Sequence, residues 1–170
     1  MNYSRKELIQ TDATMNQMRN AIYGLARFME KSGVTDVKNK LRKMGQNIAR
    51  TYIHYWRPTT LVNFTNLKDV LTTIYQKIFN SNISIDINQE ESLIKIQDHK
   101  CALCKYHYDD IEIAGCEIIL GLVSEIITLI NQESHDPSSI FLEPYTIEES
   151  QAYGNKTCIQ LYKYQIGEKN

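Results

Sequence analysis

The sequence predicts an α+β fold: three N-terminal helices, a β-hairpin, a buried central helix and a second β-hairpin, with a mostly antiparallel four-stranded sheet packed on the helices. Three observations predict it. Apolar residues recur at helical spacing through the first half of the chain. The period then switches to strict alternation at Ile83, Ile85 and Ile87. Finally, Ala114–Ile130 (AGCEIILGLVSEIITLI) is the most apolar stretch of the chain and has to be covered on nearly every side. Two hairpins laid against a helical layer bury all of these faces at once.

The central stretch is about as long as a membrane span, but it carries Glu117 and Glu125 in its interior and lacks flanking basic clusters. Each carboxylate would cost roughly 2.5–3.5 kcal/mol in a bilayer, so a buried core helix is expected and no transmembrane segment. Glu117, Glu125, Thr128 and Gly121 share one narrow stripe of the helical wheel. Eight residues place the two carboxylates about 12 Å apart, too far to share one acid–base task. The expectation is that this stripe faces solvent or a dimer partner, because ionised groups are rarely buried.

In chain order, Met15, Met18, Ile22, Leu25 and Met29 fall on one helical face, and Gly33 ends that helix. Val34, Val37, Leu41, Met44, Ile48, Tyr52 and Tyr55 form the stripe of a second helix, closed by Pro58. Gly45 inside it costs about 1 kcal/mol relative to Ala, which implies close approach of another element. Leu67, Val70, Leu71, Ile74 and Ile78 mark a third helix. Ile83–Ile87 and Leu93–Ile96 form the first hairpin around the polar turn Asn88–Ser92. After the breaker Asp136-Pro137-Ser138, Ile140–Ile147 and Cys158–Ile166 read as two further strands. The helical connection between the hairpins allows one parallel strand pair.

A chain of 170 residues, 42% hydrophobic and 23% charged, is read as one domain spanning 1–170. Its formal net charge is −1, with Lys and Arg scattered over the first half rather than concentrated, so no nucleic-acid partner is expected. No secretory signal is visible at the N-terminus, so the expected setting is cytoplasmic and reducing. The four cysteines are then thiols or metal ligands rather than disulfides. In His99-Lys-Cys101-Ala-Leu-Cys104-Lys-Tyr-His107, two thiolates at Cys-x-x-Cys spacing can reach one metal ion. Cys116, at the predicted start of the central helix, is a third candidate, and His99 or His107 are alternates. Sulfur-rich ligation favours zinc. The rival reading makes Cys101 and Cys104 a surface pair and the other cysteines small core residues; a redox pair comes third, because no helix starts at the motif. No Ser-His-Asp arrangement, glycine-rich phosphate loop or HExxH motif is present, and His54 and His135 stand alone.

Leu41-Arg-Lys-Met-Gly-Gln-Asn-Ile48 resembles the second-helix pattern, and Phe64–Leu71 continuing to Phe79 the third helix, of the small Bet-three-type subunits of TRAPP vesicle-tethering complexes. Gly115-Cys116, Gly121-Leu122 and Gly154-Asn-Lys-Thr-Cys158 resemble the related 4-vinyl-reductase-like (hydrocarbon-binding) domain of prokaryotes. There a cysteine opens the central helix and another begins the last strand. The resemblance thus implies that Cys158 joins Cys101, Cys104 and Cys116 at a structural zinc site. A further cysteine of that pattern is matched in register by Ser150.

TRAPP subunits of this type carry an acylated cysteine just before the third helix. Leu61 stands at the matching position, so covalent acylation is not expected. The implied apolar tunnel would be lined by Leu25, Ile48, Leu61, Ile74 and Val123. The resemblance also implies pairing through the first helix, at Met15, Met18 and Ile22. The expected function is a non-catalytic module that dimerises and binds an apolar, lipid-like ligand or a partner protein. The alternative is a ligand-free subunit of a TRAPP-like tethering or GTPase-regulating assembly in vesicle transport. An accessory role in tetrapyrrole reduction ranks last. The abundant Ile, Asn and Lys and the cysteine pattern point to a prokaryotic, archaeal source.

Overall fold

The computed structural model describes residues 4–132 and 136–167. Backbone contacts divide the chain into two units, Met1–Val37 and Lys38–Asn170.

The first unit is built on one helix, α1 (Arg5–Lys31). It starts ten residues before the apolar stripe does, because Ser4 and Glu7 form a capping box. The Glu7 carboxylate accepts from the Ser4 N–H at 2.7 Å, and the Glu7 N–H donates to Ser4 Oγ at 3.3 Å. Gly33, at φ +76°, ends the helix as expected.

The rest of the chain forms α2 (Val37–Tyr52), α3 (Leu67–Phe79), β1 (Ile83–Asn88), β2 (Leu93–Asp98), α4 (Glu117–Asn131), β3 (Ile140–Glu149), a single 3-10 turn (Gln151–Tyr153) and β4 (Cys158–Ile166). This is the α+β layout expected. The sheet order is β1-β2-β4-β3, and every pairing is antiparallel. The parallel pair that the helical connection allows does not form. The crossover through α4 carries β3 one position past β2, and β4 returns between them, antiparallel to both.

On the helical face of the sheet, β2 contributes Ile94, Ile96 and Asp98, paired across from Tyr162, Gln160 and Cys158 of β4. Tyr75 of α3 docks there by donating to Gln160 Oε1 at 2.6 Å, with its hydroxyl 3.0 Å from that of Tyr162. Burial holds both phenols above their ordinary pKa, so both stay protonated. At the far end of α4, Asn131 clamps two segments. Its Oδ1 accepts from the Val62 N–H (2.9 Å), and its Nδ2 donates to the carbonyls of Val62 (2.7 Å) and Ile140 (2.8 Å).

Helix α4 is buried continuously from Glu117 to Thr128. Its glutamate stripe does not face solvent, which corrects the expectation from composition. Glu117 and Glu125 are 1% and 7% exposed and face α2, where Arg42 Nε lies 2.6 Å from Glu117 Oε2 and Arg50 Nε 2.7 Å from Glu125 Oε1. Both pairs span 75 positions in sequence, so α2 and α4 run alongside each other in the same direction. The helices touch between these pairs, where Gly45 meets the backbone of Ile118 and Leu122, and Gly121 meets the carbonyl of Arg42. This is the close approach that Gly45 implied. It also turns α2: the buried seam is Val37, Leu41, Gly45 and Ala49, while Ile48 is exposed. The smallest residues, not the largest, occupy the contact.

Candidate metal centre

Three local features bring four sulfurs to one point. After β2, the chain makes a tight turn in which the Cys104 N–H donates to the Cys101 carbonyl (3.4 Å). The following segment is drawn inward by Ile111, Ile113 and Ala114, all buried, so that Cys116 arrives as the residue capping the N-terminus of α4. Cys158 opens β4 directly opposite Asp98, the last residue of β2. The Sγ atoms of Cys101, Cys104, Cys116 and Cys158 all lie within 4.8 Å of one another. All four are free thiols and buried. The reading of Cys101 and Cys104 as a surface pair therefore fails on burial.

The surroundings of the sulfurs supply donors. The Cys116 N–H donates to Cys104 Sγ at 3.2 Å, and the Gln151 N–H to Cys158 Sγ at 3.4 Å. Ser150, which caps the 3-10 turn through the Ala152 N–H, also places its Oγ 3.6 Å from Cys158 Sγ. Backbone N–H groups aimed at sulfur stabilise thiolates rather than thiols. Charge within the cluster is unevenly held. Burial opposes ionisation of Cys104, but hydrogen bonds from the Cys101, Cys116, Cys158 and Ser150 side chains outweigh it and hold that thiol well below the usual range. Cys101 is pushed well up, chiefly by serving as donor to Cys104, and Cys116 is pushed well up by burial.

The spacing discriminates between metal groups. Zinc–sulfur bonds of about 2.3 Å put the sulfurs of a tetrahedron about 3.8 Å apart, so four thiolates within 4.8 Å fit a single ion. Tetrahedral all-sulfur sites suit zinc or iron. A closed shell of four sulfurs also leaves no coordination position for a substrate.

Neither histidine alternate belongs to the group. His99 Nε2 lies 3.3 Å from Ser84 Oγ. His107 Nδ1 donates to the Ala152 carbonyl (2.9 Å), and its Nε2 meets Asp109 Oδ1 (2.6 Å). With the Tyr108 N–H, which also reaches the Ala152 carbonyl, and Tyr153 Oη, which donates to the Glu112 carbonyl, His107 ties the cysteine-bearing loop to the 3-10 turn. That turn is the part of the site that sequence reasoning missed; a capping serine at Ser150 was its available signal. His54 is exposed, and His135 lies outside the described residues. Of the residues expected to line an apolar pocket, Ile74 and Val123 are fully buried, while Leu25, Ile48 and Leu61 are 42%, 42% and 43% exposed. On α1, Met18 is exposed and Met15 and Ile22 are half-buried. Among the described residues, no helix is long and apolar enough to cross a membrane.

Three helices, a hairpin, a buried helix and a second hairpin, with the last strand inserted between the second and third, are an arrangement that a solved structure shares. Among solved structures, the chain is similar to trafficking protein particle complex subunit 3 from Naegleria fowleri, seen in a crystal structure covalently bound to palmitic acid. The TM-score is 0.66 at 11% sequence identity, covering 94% of this chain and 99% of that one. At this identity the likeness is one of fold. No protein-family model matches the chain, and no curated protein does.

Proposed function

We propose that this protein is a non-catalytic, cytoplasmic TRAPP-like module that pairs through α1 with a second copy or a related subunit, its core stapled by one structural zinc ion. The observation that carries the pairing is the apolar face of α1. Leu8, Met15, Met18, Ile22 and Leu25 follow one another at steps of seven, three, four and three residues, and Leu8, Met18 and Leu25 are 55%, 49% and 42% exposed. This is the spacing of a helix seam that seeks another helix. Exposed apolar runs of such length on one face mark interaction surfaces.

The zinc part rests on the convergence of Cys101, Cys104, Cys116 and Cys158, and the closed four-sulfur shell supports a role that is structural and not enzymatic. Cysteines at the start of the central helix and of the last strand favour the prokaryotic, 4-vinyl-reductase-like branch as the source of this arrangement.

A second reading is uptake of an apolar ligand, favoured by the palmitic acid held by the Naegleria fowleri protein. With Leu61 at the position matched to the acylated cysteine, such a ligand would be held without a covalent bond. Sedimentation velocity tests the pairing. The wild-type chain is expected to sediment as a dimer, and Met18→Glu combined with Ile22→Glu as a monomer with an unchanged circular dichroism spectrum. A wild-type chain that stays monomeric at every concentration contradicts the reading.

A further inference from the structure

The donors around the sulfurs of the thiol site are of two kinds. The Cys116 N–H on Cys104 Sγ and the Gln151 N–H on Cys158 Sγ belong to the backbone and come with the fold whatever side chains stand there. Ser150 brings a side chain. Its Oγ lies 3.6 Å from Cys158 Sγ, and both residues are 0% exposed, so bulk water does not compete for the contact.

The backbone of Ser150 is fixed on both sides. Its N–H donates to Asn155 Oδ1 (3.2 Å), and its carbonyl accepts from the N–H groups of Tyr153 (2.9 Å) and Asn155 (3.1 Å). The Ala152 N–H donates to Ser150 Oγ at 3.1 Å. That bond decides which way the hydroxyl works, because the oxygen already accepts and its proton is left for sulfur. Accepting one hydrogen bond also polarises the O–H and strengthens the bond it donates. A cysteine that coordinates an ion has lost its proton and can only accept. Four thiolates around one divalent ion carry excess negative charge away from water, where a donor to sulfur is worth most.

We propose that Ser150 is a positioning residue of the thiol site: its hydroxyl donates to Cys158 Sγ, orients that thiolate, spreads its charge and so tightens metal binding. This rests on the four-sulfur reading of the site and adds to it a residue that touches no metal.

Chelator competition and the spectrum of the cobalt-substituted protein test it. Ser150→Ala is expected to hold zinc about tenfold or more weakly. It should also move the sulfur-to-cobalt charge-transfer band to longer wavelength, because a thiolate without its donor gives up electron density more readily. Asn155→Ala removes a support of the same turn but leaves the hydroxyl, and should leave the band in place. If Ser150→Ala does not fold, wild-type protein loaded with cadmium-113 decides: a proton–cadmium correlation from the Ser150 hydroxyl supports the bond, and its absence overturns it. A folded Ser150→Ala with wild-type affinity, weaker binding with an unmoved band, or a band that moves equally in Asn155→Ala would overturn the proposal while the zinc reading stands. A wild-type chain that takes up neither zinc nor cobalt overturns both.

Discussion

Gly45 lies so close to Ile118 that a Cβ added at Gly45 would sit 2.0 Å from the Ile118 carbonyl oxygen and 2.8 Å from the Leu122 nitrogen. Both obstacles are backbone atoms of α4, so no side-chain rotation can relieve the contact. Gly45→Ala should therefore lower stability by about 3 kcal/mol or more, against the usual gain of an alanine in a helix. Gly24, on α1, provides the control, because nothing lies within 4 Å of an added Cβ. Gly24→Ala should raise stability by up to about 1 kcal/mol. Urea unfolding of the two variants checks the opposite signs.

Arg42 holds three elements together. Besides Glu117, its guanidinium donates to the carbonyls of Tyr145 (3.1 Å) and Pro144 (3.5 Å), where the register of β3 against β4 shifts and those carbonyls leave the ladder. Arg42→Ala strands a carboxylate that is 2% exposed, and should cost about 3–5 kcal/mol. Arg50, itself 57% exposed, should cost about 1 kcal/mol or less when replaced by Ala. The double replacement Arg42→Met with Glu117→Leu should recover much of the first loss. A double-mutant cycle read by chemical denaturation measures all three.

Asp98 gives stability a pH dependence. Its carboxyl is buried between β2 and the segment after α3, accepting from Ser81 Oγ and the Lys100 N–H, while Oδ2 has no partner. Burial raises its pKa in spite of those two bonds. Because the folded pKa lies above the unfolded one, this contribution is fully present below the unfolded pKa and is lost as pH rises through the raised, folded value. Asp98→Asn should remove that decline. Unfolding free energies of both proteins, measured from below the ordinary aspartate range to neutrality, should differ by an amount that changes with pH. A constant difference would assign the decline to another group.

Much of the fold was legible in local pattern, and what escaped depended on distant partners. Ile83, Ile85 and Ile87 announced a strand by alternation, and Leu67 to Ile74 announced α3 by helical spacing. The start of α1 lay hidden because its first turns are polar, although Ser4-x-x-Glu7 carried the cap. Ile48 was assigned to the core of α2 on hydrophobicity, yet Ala49 takes that place, since the fit to α4 selects for small size. The burial of Glu117 and Glu125 could not be read locally, because the arginines that make it tolerable stand on another helix. The thiol site was half visible: Cys101 and Cys104 by their spacing, Cys116 by its place before the helix, and Cys158 only by resemblance.

The most direct test of the account is the metal content of the protein purified without added metal. Elemental analysis is expected to give close to one zinc atom per chain, with the four thiols unreactive until a chelator removes the ion and the melting temperature falls. Cys104→Ser and Cys158→Ser should each lose the metal. Purified protein that contains no metal while its four thiols titrate freely, or that shows iron–sulfur absorption instead, would contradict the account.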